Sequence, residues 1–293
     1  MSGGVTRPEL VRALAGLAGP SPDPGVCRIL GLPAPPGPAA HTDVFVLETH
    51  PYASVHLGAE GMIGGEAGDR VAGYWRAIGT VPPAEPDHLC TLLDLYAGLG
   101  AEELALPRSD RRRAAITSAR GALLWEHLAS WVPVHLAAVD RVGGTFHRAW
   151  AGLAADVVVA EADTLPPRDE LPSALTLGPP PLAMTSRREL VDGLLAPVRS
   201  GMVITRADLV RAGRDLGLAV RRAERRFALE GLFDQDPAGV LAWCAAFAAE
   251  WSVLHRRWHP GALEGVGRWW AGRARAAADV LADRVGPVCA DRR

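Results

Sequence analysis

Apolar side chains recur along this chain at the spacing of an α-helix. Five segments carry them at i, i+3, i+4 and i+7 or a close variant, which places them on one face of a helix. The positions are Val71, Tyr74, Trp75 and Ile78; Leu89, Leu92, Leu93 and Tyr96; Trp125, Leu128, Val132, Leu136 and Val139; Phe146, Trp150, Leu153 and Val157; and Val240, Cys244, Phe247, Trp251 and Leu254. Only the short runs 44–47 and 157–159 have strand character, and neither has a partner at hairpin spacing. The pattern predicts an all-α protein in which helices pack on helices.

Two proline-rich stretches divide the chain. The first contains seven prolines between residues 20 and 38, and the second, residues 162–181, ends in three consecutive prolines. Proline removes a backbone donor and fixes φ, so little regular structure is expected in either stretch. The predicted organisation is an N-terminal helix with a Pro-rich segment (1–40), a helical core (41–161), a Pro-rich linker (162–181) and a helical, Arg- and Trp-rich C-terminal region (182–293).

Composition indicates a globular protein and excludes several kinds of chemistry. The 293 residues are 48% hydrophobic and 22% charged, which suffices for a core without disulfide or metal crosslinks. The net charge of −2 argues against a generally polybasic protein. All 31 basic residues are arginine, so Schiff-base chemistry and the lysine of a phosphate-binding loop are excluded.

The sequence predicts a cytoplasmic protein without membrane insertion. Its first residues contain glycine, proline and acid where a signal peptide needs a continuous apolar stretch. The longest uncharged apolar stretch, 237–249, is shorter than the roughly 20 residues of a membrane helix. The four cysteines lie far apart without a C-x-x-C spacing, which is typical of reduced thiols.

No catalytic, cofactor-binding or metal site is predicted, so we do not expect an enzyme. His255 and His259 are four residues apart, but no acidic or cysteine ligand follows nearby. Cys90 and His88 would point about 200° apart on a helix, and no G-x-S-x-G motif is present. The glycine-rich stretch 57–70 lacks the G-K-S/T ending of a phosphate-binding loop and predicts a turn that leads into a helix.

The sharpest local signal is PPAEPDHLCTLLDLYAGL, residues 82–99. Pro86 suits a helix start, and the carboxylates of Glu85 and Asp87 lie near the positive end of the helix dipole. A well-made helix start explains these residues. The alternative is a site in which carboxylates, an imidazole and aromatic rings hold a guanidinium by charge-assisted hydrogen bonds. The candidate binding residues are Tyr52, Trp75, Glu85, Pro86, Asp87 and His88.

A second alternative concerns the last third of the chain. Residues 204–232 have the rhythm of a helix-turn-helix and contain seven arginines against four acidic residues. Within residues 204–275 they could form a nucleic-acid-binding surface of a regulator, together with Arg256, Arg257, Trp258, Arg268, Trp269 and Trp270. An amphipathic helix pair with a solvated arginine face explains the same pattern, and nucleic acid is the less favoured partner.

Four segments of this chain resemble the TorD/DmsD/NarJ-type family of cytoplasmic maturation chaperones. They are HPYASVHLG at 50–58, GMIGGEAGDRVAGYWRAIG at 61–79, AEPDHLCTLLDLYAGL at 84–99 and LLWEHLASWVPVHLAAV at 123–139. The E-P-D-H core resembles the acidic motif of the family, and the W-x-H-L-x-x-W-x-P run resembles its later core helix.

The resemblance implies a TorD-like helical bundle that binds the twin-arginine leader and the apo-form of a molybdopterin oxidoreductase. Such a chaperone aids cofactor insertion and delays export. A leader pairs a diarginine with an apolar stretch, so its receptor needs carboxylates beside an apolar groove. By position, Glu85, Pro86, Asp87 and His88 match the family motif, and Tyr52 and Trp75 match aromatic positions near the peptide groove.

The region from residue 182 onward matches no part of the common family core. It could bind the mature client, form a homodimer or complete the helical core. Exchange of helices between subunits, which the family resemblance also implies, would be permitted by the linker 162–181.

Overall fold

The computed structural model describes residues 6–166, 170–184, 186–221 and 224–290. These residues form helices and loops without a strand, so the all-α prediction is confirmed. The α-helices are α1 (Arg7–Leu17), α2 (Pro24–Ile29), α3 (Pro38–His41), α4 (Ala53–Leu57), α5 (Gly65–Ala77), α6 (Leu89–Ala105), α7 (Arg111–Ala122), α8 (Val132–Val142), α9 (Thr145–Ala162), α10 (Ser173–Thr176), α11 (Arg187–Leu195), α12 (Pro197–Ser200), α13 (Arg206–Leu216), α14 (Arg225–Gln235), α15 (Pro237–Trp258) and α16 (Glu264–Ala290). Two π-helical segments, Thr42–Glu48 and Leu123–Ala129, and a 3-10 turn, Gly261–Leu263, complete the fold.

The two runs with strand character are helical. Residues 44–47 lie in the first π-helical segment, and 157–159 lie near the end of α9. β-branched residues lower helix propensity only by fractions of a kcal/mol, so burial of one apolar face outweighs the local preference.

The first core layer forms where α1, α6, α8 and α9 pack against one another. Trp150 is fully buried, and its indole N–H donates to the carbonyl of Leu14 at 3.0 Å. A buried charge network links α6, α7 and α9, because the Glu161 carboxylate accepts from the Tyr96 hydroxyl at 2.6 Å and from Arg120 at 3.1 Å. A buried carboxylate with two such donors is compensated, so this network holds α6, α7 and α9 in register.

The C-terminal helices pack directly on this layer. α15 and α16 run along each other, and the indole N–H of the buried Trp270 donates to the carbonyl of Ser130 at 3.0 Å. Arg141 of α8 pairs with Asp208 of α13 at 3.2 Å. The backbone N–H of Ala207 donates to the Glu48 carboxylate at 3.0 Å. These contacts attach the C-terminal region to the rest of the helical body.

Part of the second proline-rich stretch is also packed. Ala174 and Leu175 of α10 are buried, and the Ser173 backbone N–H and hydroxyl both donate to the Glu126 carboxylate, at 2.7 and 2.8 Å. Residues 167–169 lie outside the described part of the chain. The division into core, linker and C-terminal region stays a prediction.

Among the described residues, one helix, α15, is long and apolar enough to cross a membrane by length and composition alone. In this fold it lies against α16 and buries Phe247 and Trp251. A core helix of a globular protein has the same composition, because its apolar face is covered by neighbouring helices rather than lipid.

Candidate functional site

A short antiparallel pairing brings the acidic segment next to the start of α4. The backbone N–H of Ala53 donates to the carbonyl of Asp87 at 3.0 Å, and that of Leu89 donates to the carbonyl of Pro51 at 2.8 Å. Tyr52 and His88 are the bridged pair between these two bonds. Two segments more than thirty residues apart in sequence are thereby held side by side, one entering α4 and the other entering α6.

Asp87 is a buried anchor rather than an open charge. Only 4% of it is exposed, and its Oδ2 atom accepts the backbone N–H of Ser54 at 2.9 Å. That N–H belongs to the first turn of α4, where backbone donors have no partner inside the helix. The Asp87 carboxylate therefore caps α4, which belongs to the neighbouring segment. The sequence motif had suggested instead that Asp87 stabilises the start of α6, the helix that follows it.

Glu85 is exposed and lies at the edge of the candidate site. Its Oε1 atom accepts the hydroxyl of Tyr52 at 2.7 Å. Burial, followed by the Glu85 carboxylate, raises the pKa of the Tyr52 phenol, so the phenol stays protonated and remains a donor. Within the described residues, no hydrogen bond is made by the second oxygen, Oε2. A fixed carboxylate with one oxygen open is suited to accept a guanidinium.

Trp75 and His88 stabilise the acidic segment through hydrogen bonds to its backbone and to the start of α6. The indole N–H of Trp75, on α5, donates to the carbonyl of Pro86 at 3.1 Å. His88 is the N-cap of α6, and its Nδ1 accepts the backbone N–H of Cys90 at 3.2 Å. Burial lowers the pKa of His88, against the opposing effect of the Glu85 and Asp87 carboxylates, which favours the neutral ring that this cap requires.

The acidic segment forms one wall of an open groove of about 630 Å³, which we call the acidic groove. Its charged lining consists of three carboxylates, those of Asp69, Glu85 and Asp87, and one guanidinium, that of Arg76. Its apolar lining includes Ile63 and Val81, whose side chains are 57% and 88% exposed. Four of the six predicted residues, Tyr52, Glu85, Pro86 and Asp87, line the groove, while Trp75 and His88 lie directly behind it.

Sequence reasoning missed the contribution of α5. Asp69, Ala72 and Arg76 follow one another at i, i+3 and i+7, and all three line the acidic groove. Val71 occupies the adjoining core face of the same helix. The helical periodicity that predicts a core position for Val71 also predicts that these three residues lie together on another face of α5. The sequence therefore indicates this face of α5. It does not indicate that the acidic segment lies against it and completes the groove.

A second, more apolar groove of about 810 Å³ lies on the other side of α5, between α5, α6 and α7. Trp75, Ile78, Leu95, Leu99 and Ile116 line it, together with the carboxylates of Asp94 and Glu102. Burial raises the pKa of Asp94. Trp75 lines this groove with its ring and bonds to the wall of the acidic groove through its N–H, so the two grooves share one residue.

The paired histidines of α15 have structural partners. The Nε2 atom of His255 lies 2.6 Å from the carbonyl of Gly201, and Nδ1 of His259 lies 2.7 Å from the carbonyl of His255. Across the part of the chain that the structure describes, no group of three or more His, Cys, Asp or Glu residues is arranged to hold a metal ion. The thiols of Cys27, Cys90 and Cys244 are free.

Comparison with known proteins finds a family-model match over the segment that contains these residues. Residues 39–137 match the family model described as nitrate reductase delta subunit. This segment, 99 of the 293 residues, is similar to the NarJ/TorD-type chaperone family. Members of that family are maturation chaperones of molybdoenzymes, and the matched segment contains all six predicted site residues. Neither the curated proteins nor the solved structures gave a match.

Proposed function

We propose that this chain binds the twin-arginine leader of a molybdoenzyme subunit in the acidic groove. The observation that carries the proposal is the open Glu85 carboxylate, held by Tyr52 above a partly apolar groove within the family segment. A leader offers adjacent guanidinium groups followed by apolar side chains. Carboxylates take guanidinium groups by paired, charge-assisted hydrogen bonds, and the apolar part gains from covering exposed hydrocarbon.

The geometry divides the carboxylates by role. Asp87 already accepts a backbone N–H and is buried, so Glu85 and Asp69 are the carboxylates that remain for two guanidinium groups. Arg76 lies in the same groove. Its like charge disfavours the binding of any positive group of the leader beyond the two guanidinium groups. We propose that the apolar part of the leader crosses Trp75 into the groove between α5, α6 and α7.

Leader binding of this kind would serve the maturation role of the family. A chaperone that covers the leader of an apo-subunit delays its export while the molybdopterin cofactor is inserted. This role places the chain in the cytoplasm, where such subunits fold. The partner in this proposal is the apo catalytic subunit together with its leader, and this chain itself needs no cofactor.

The test uses a fluorescein-labelled synthetic peptide in which two arginines precede an apolar stretch. Fluorescence anisotropy should show binding to the wild-type chain and a loss of about tenfold or more in affinity for Glu85→Gln, since a hydrogen bond to a charged group contributes about 1.5–3 kcal/mol. Glu66→Gln is the matched control, because Glu66 is 95% exposed and lies outside the lining of the acidic groove. Equal affinities for wild type and Glu85→Gln would overturn the proposed site.

The nucleic-acid alternative has less support. Arg211 pairs with Asp208 and Glu250, and its guanidinium lies over the Trp243 and Phe247 rings. Arg226 is paired with Asp192. Trp258 and Trp270 are buried. These residues of the predicted basic aromatic surface therefore stabilise the helices themselves.

A further inference from the structure

A free guanidinium, that of Arg76, lines the acidic groove. The side chain is exposed, and within the part of the chain that the structure describes, no hydrogen bond or ion pair joins it to another residue. Arg70, six residues earlier on α5, instead lies 3.8 Å from the Glu66 carboxylate and outside the groove lining. The acidic groove therefore holds one positive charge that the chain itself does not neutralise.

The charged groups of the groove lie on two facing walls. Asp69 and Arg76 are seven residues apart on α5, so they share one face of the helix and lie about 10 Å apart along its axis. Glu85 lies on the other wall, which the acidic segment forms. The bond from the Trp75 indole N–H to the carbonyl of Pro86, at 3.1 Å, fixes the two walls to each other. The arrangement is therefore preformed.

The groups left open in the groove are two carboxylates and one guanidinium. Asp87 is buried and already accepts the Ser54 N–H, so it is not available. Asp69 and Glu85 are exposed, and so is Arg76. Guanidinium and carboxylate groups pair through two parallel hydrogen bonds. A segment complementary to all three open groups therefore carries two guanidinium groups and one carboxylate.

Three consecutive residues of an extended peptide match the spacing of these groups. Successive side chains of an extended chain point to opposite sides, so the first and third face one wall and the second faces the other. The first and third residues are about 7 Å apart, and a long arginine side chain spans the remaining distance between Asp69 and Arg76. Trp75 precedes Arg76 and also lines the second groove, so the third residue leads toward the apolar part of the leader.

We propose that the acidic groove selects a leader in which an aspartate or glutamate directly follows the two arginines, and that Arg76 binds its carboxylate. The first arginine faces Asp69, the second faces Glu85, and the acid faces Arg76. Arg76 is thus a specificity-determining residue, which attracts an acid and repels a basic residue at that position. This inference rests on the proposed function, because it requires the arginine pair to lie in the acidic groove.

The experiment is fluorescence anisotropy with three labelled peptides that share the two arginines and the apolar stretch. In the first peptide, an aspartate directly follows the pair and a glutamine lies three positions before it. The second peptide exchanges this aspartate and glutamine, so its composition and net charge are identical. The third peptide carries an arginine directly after the pair in place of the aspartate.

Five chains are compared: wild type, Arg76→Gln, Arg76→Glu, Glu85→Gln and Arg70→Gln. Arg70→Gln is the matched control, because it removes the same charge from the same helix outside the groove lining. Arg76 is exposed, so its replacement should leave the fold intact, and circular dichroism checks this for each variant.

Wild type should bind the first peptide about three- to fivefold more tightly than the second, which is the upper range for an exposed ion pair. Arg70→Gln should keep this preference, and Arg76→Gln should lose it. Arg76→Glu should bind the third peptide more tightly than the first, because its reversed charge attracts a third arginine. Equal affinities of wild type for the first two peptides, or a preference that persists in Arg76→Gln, would overturn the inference.

Glu85→Gln separates this inference from the proposed function. If Glu85→Gln weakens the binding of all three peptides while wild type shows no preference among the first two, the proposed function stands and the role of Arg76 is overturned. If Glu85→Gln binds every peptide as tightly as wild type, the proposed function is overturned, and the inference with it.

Discussion

The replacement Asp87→Ala tests whether the acidic motif has a structural and a binding half. The substitution removes the carboxylate that accepts the Ser54 N–H and leaves this donor buried in the first turn of α4. Loss of a hydrogen bond to a charged group costs about 1.5–3 kcal/mol, and the site leaves little access for water to replace it. We expect a loss of about 2–3 kcal/mol in the free energy of unfolding, a large share of the 5–15 kcal/mol typical of a domain.

Urea unfolding followed by circular dichroism measures this loss. Asp87→Asn is the graded control, because its amide oxygen still accepts the N–H but without the charge, so its loss should be about half as large. Glu85→Gln should leave stability within about 0.5 kcal/mol of wild type, since Glu85 is exposed. The reasoning is refuted if Asp87→Ala is as stable as wild type, or if Glu85→Gln is destabilised as much as Asp87→Ala.

Three further predictions concern stability and packing. Burial lowers the pKa of both His56 and His255 to about 3, so the unfolded chain binds protons first as the pH falls below about 6.5. Each of these histidines should lower the free energy of unfolding by about 2 kcal/mol at pH 5. Urea unfolding at pH 7.5 and at pH 5 measures this loss, and the loss between the two pH values should be smaller in His56→Gln. Gly201→Ala should destabilise by about 3 kcal/mol or more in thermal unfolding, because φ is +71° and a Cβ atom would collide with the backbone of Ala274; equal melting temperatures would contradict this. Trp75→Phe removes the N–H that bonds the Pro86 carbonyl and should cost about 1 kcal/mol in urea unfolding, whereas an unchanged midpoint would show that the bond contributes nothing.

Periodicity was sufficient to predict most of the core helices. Leu92, Trp150 and Trp251 fall on predicted stripes and are fully buried, because a helical stripe three to four turns long has few ways to hide its hydrocarbon other than in a core. The polar α7 carries no such stripe and was not predicted. Its position depends on ion pairs such as that between Arg120 and Glu103, at 2.9 Å, which lie in different helices.

The membership of the candidate site stays a prediction, and the sequence did not indicate which contact each of its residues makes. Glu85, Pro86 and Asp87 of the motif line the acidic groove. However, the separation of Asp87 as an anchor from Glu85 as an open charge depends on Ser54 and Tyr52, which are more than thirty residues away. Local spacing carries no information about such a pairing. Asp69 was missed for the same reason, since its helix face becomes part of a groove only when the acidic segment lies across it.

The central claim is that Glu85 receives a guanidinium of the leader, and a double-mutant cycle tests it most directly. The cycle measures the binding of wild-type and Glu85→Gln chains to the diarginine peptide and to the same peptide with lysines in place of both arginines. Lysine keeps the charge but cannot form the paired hydrogen bonds of a guanidinium. A direct contact predicts a coupling energy of about 1 kcal/mol or more between the two changes. Strictly additive losses, with a coupling energy of zero, would contradict it.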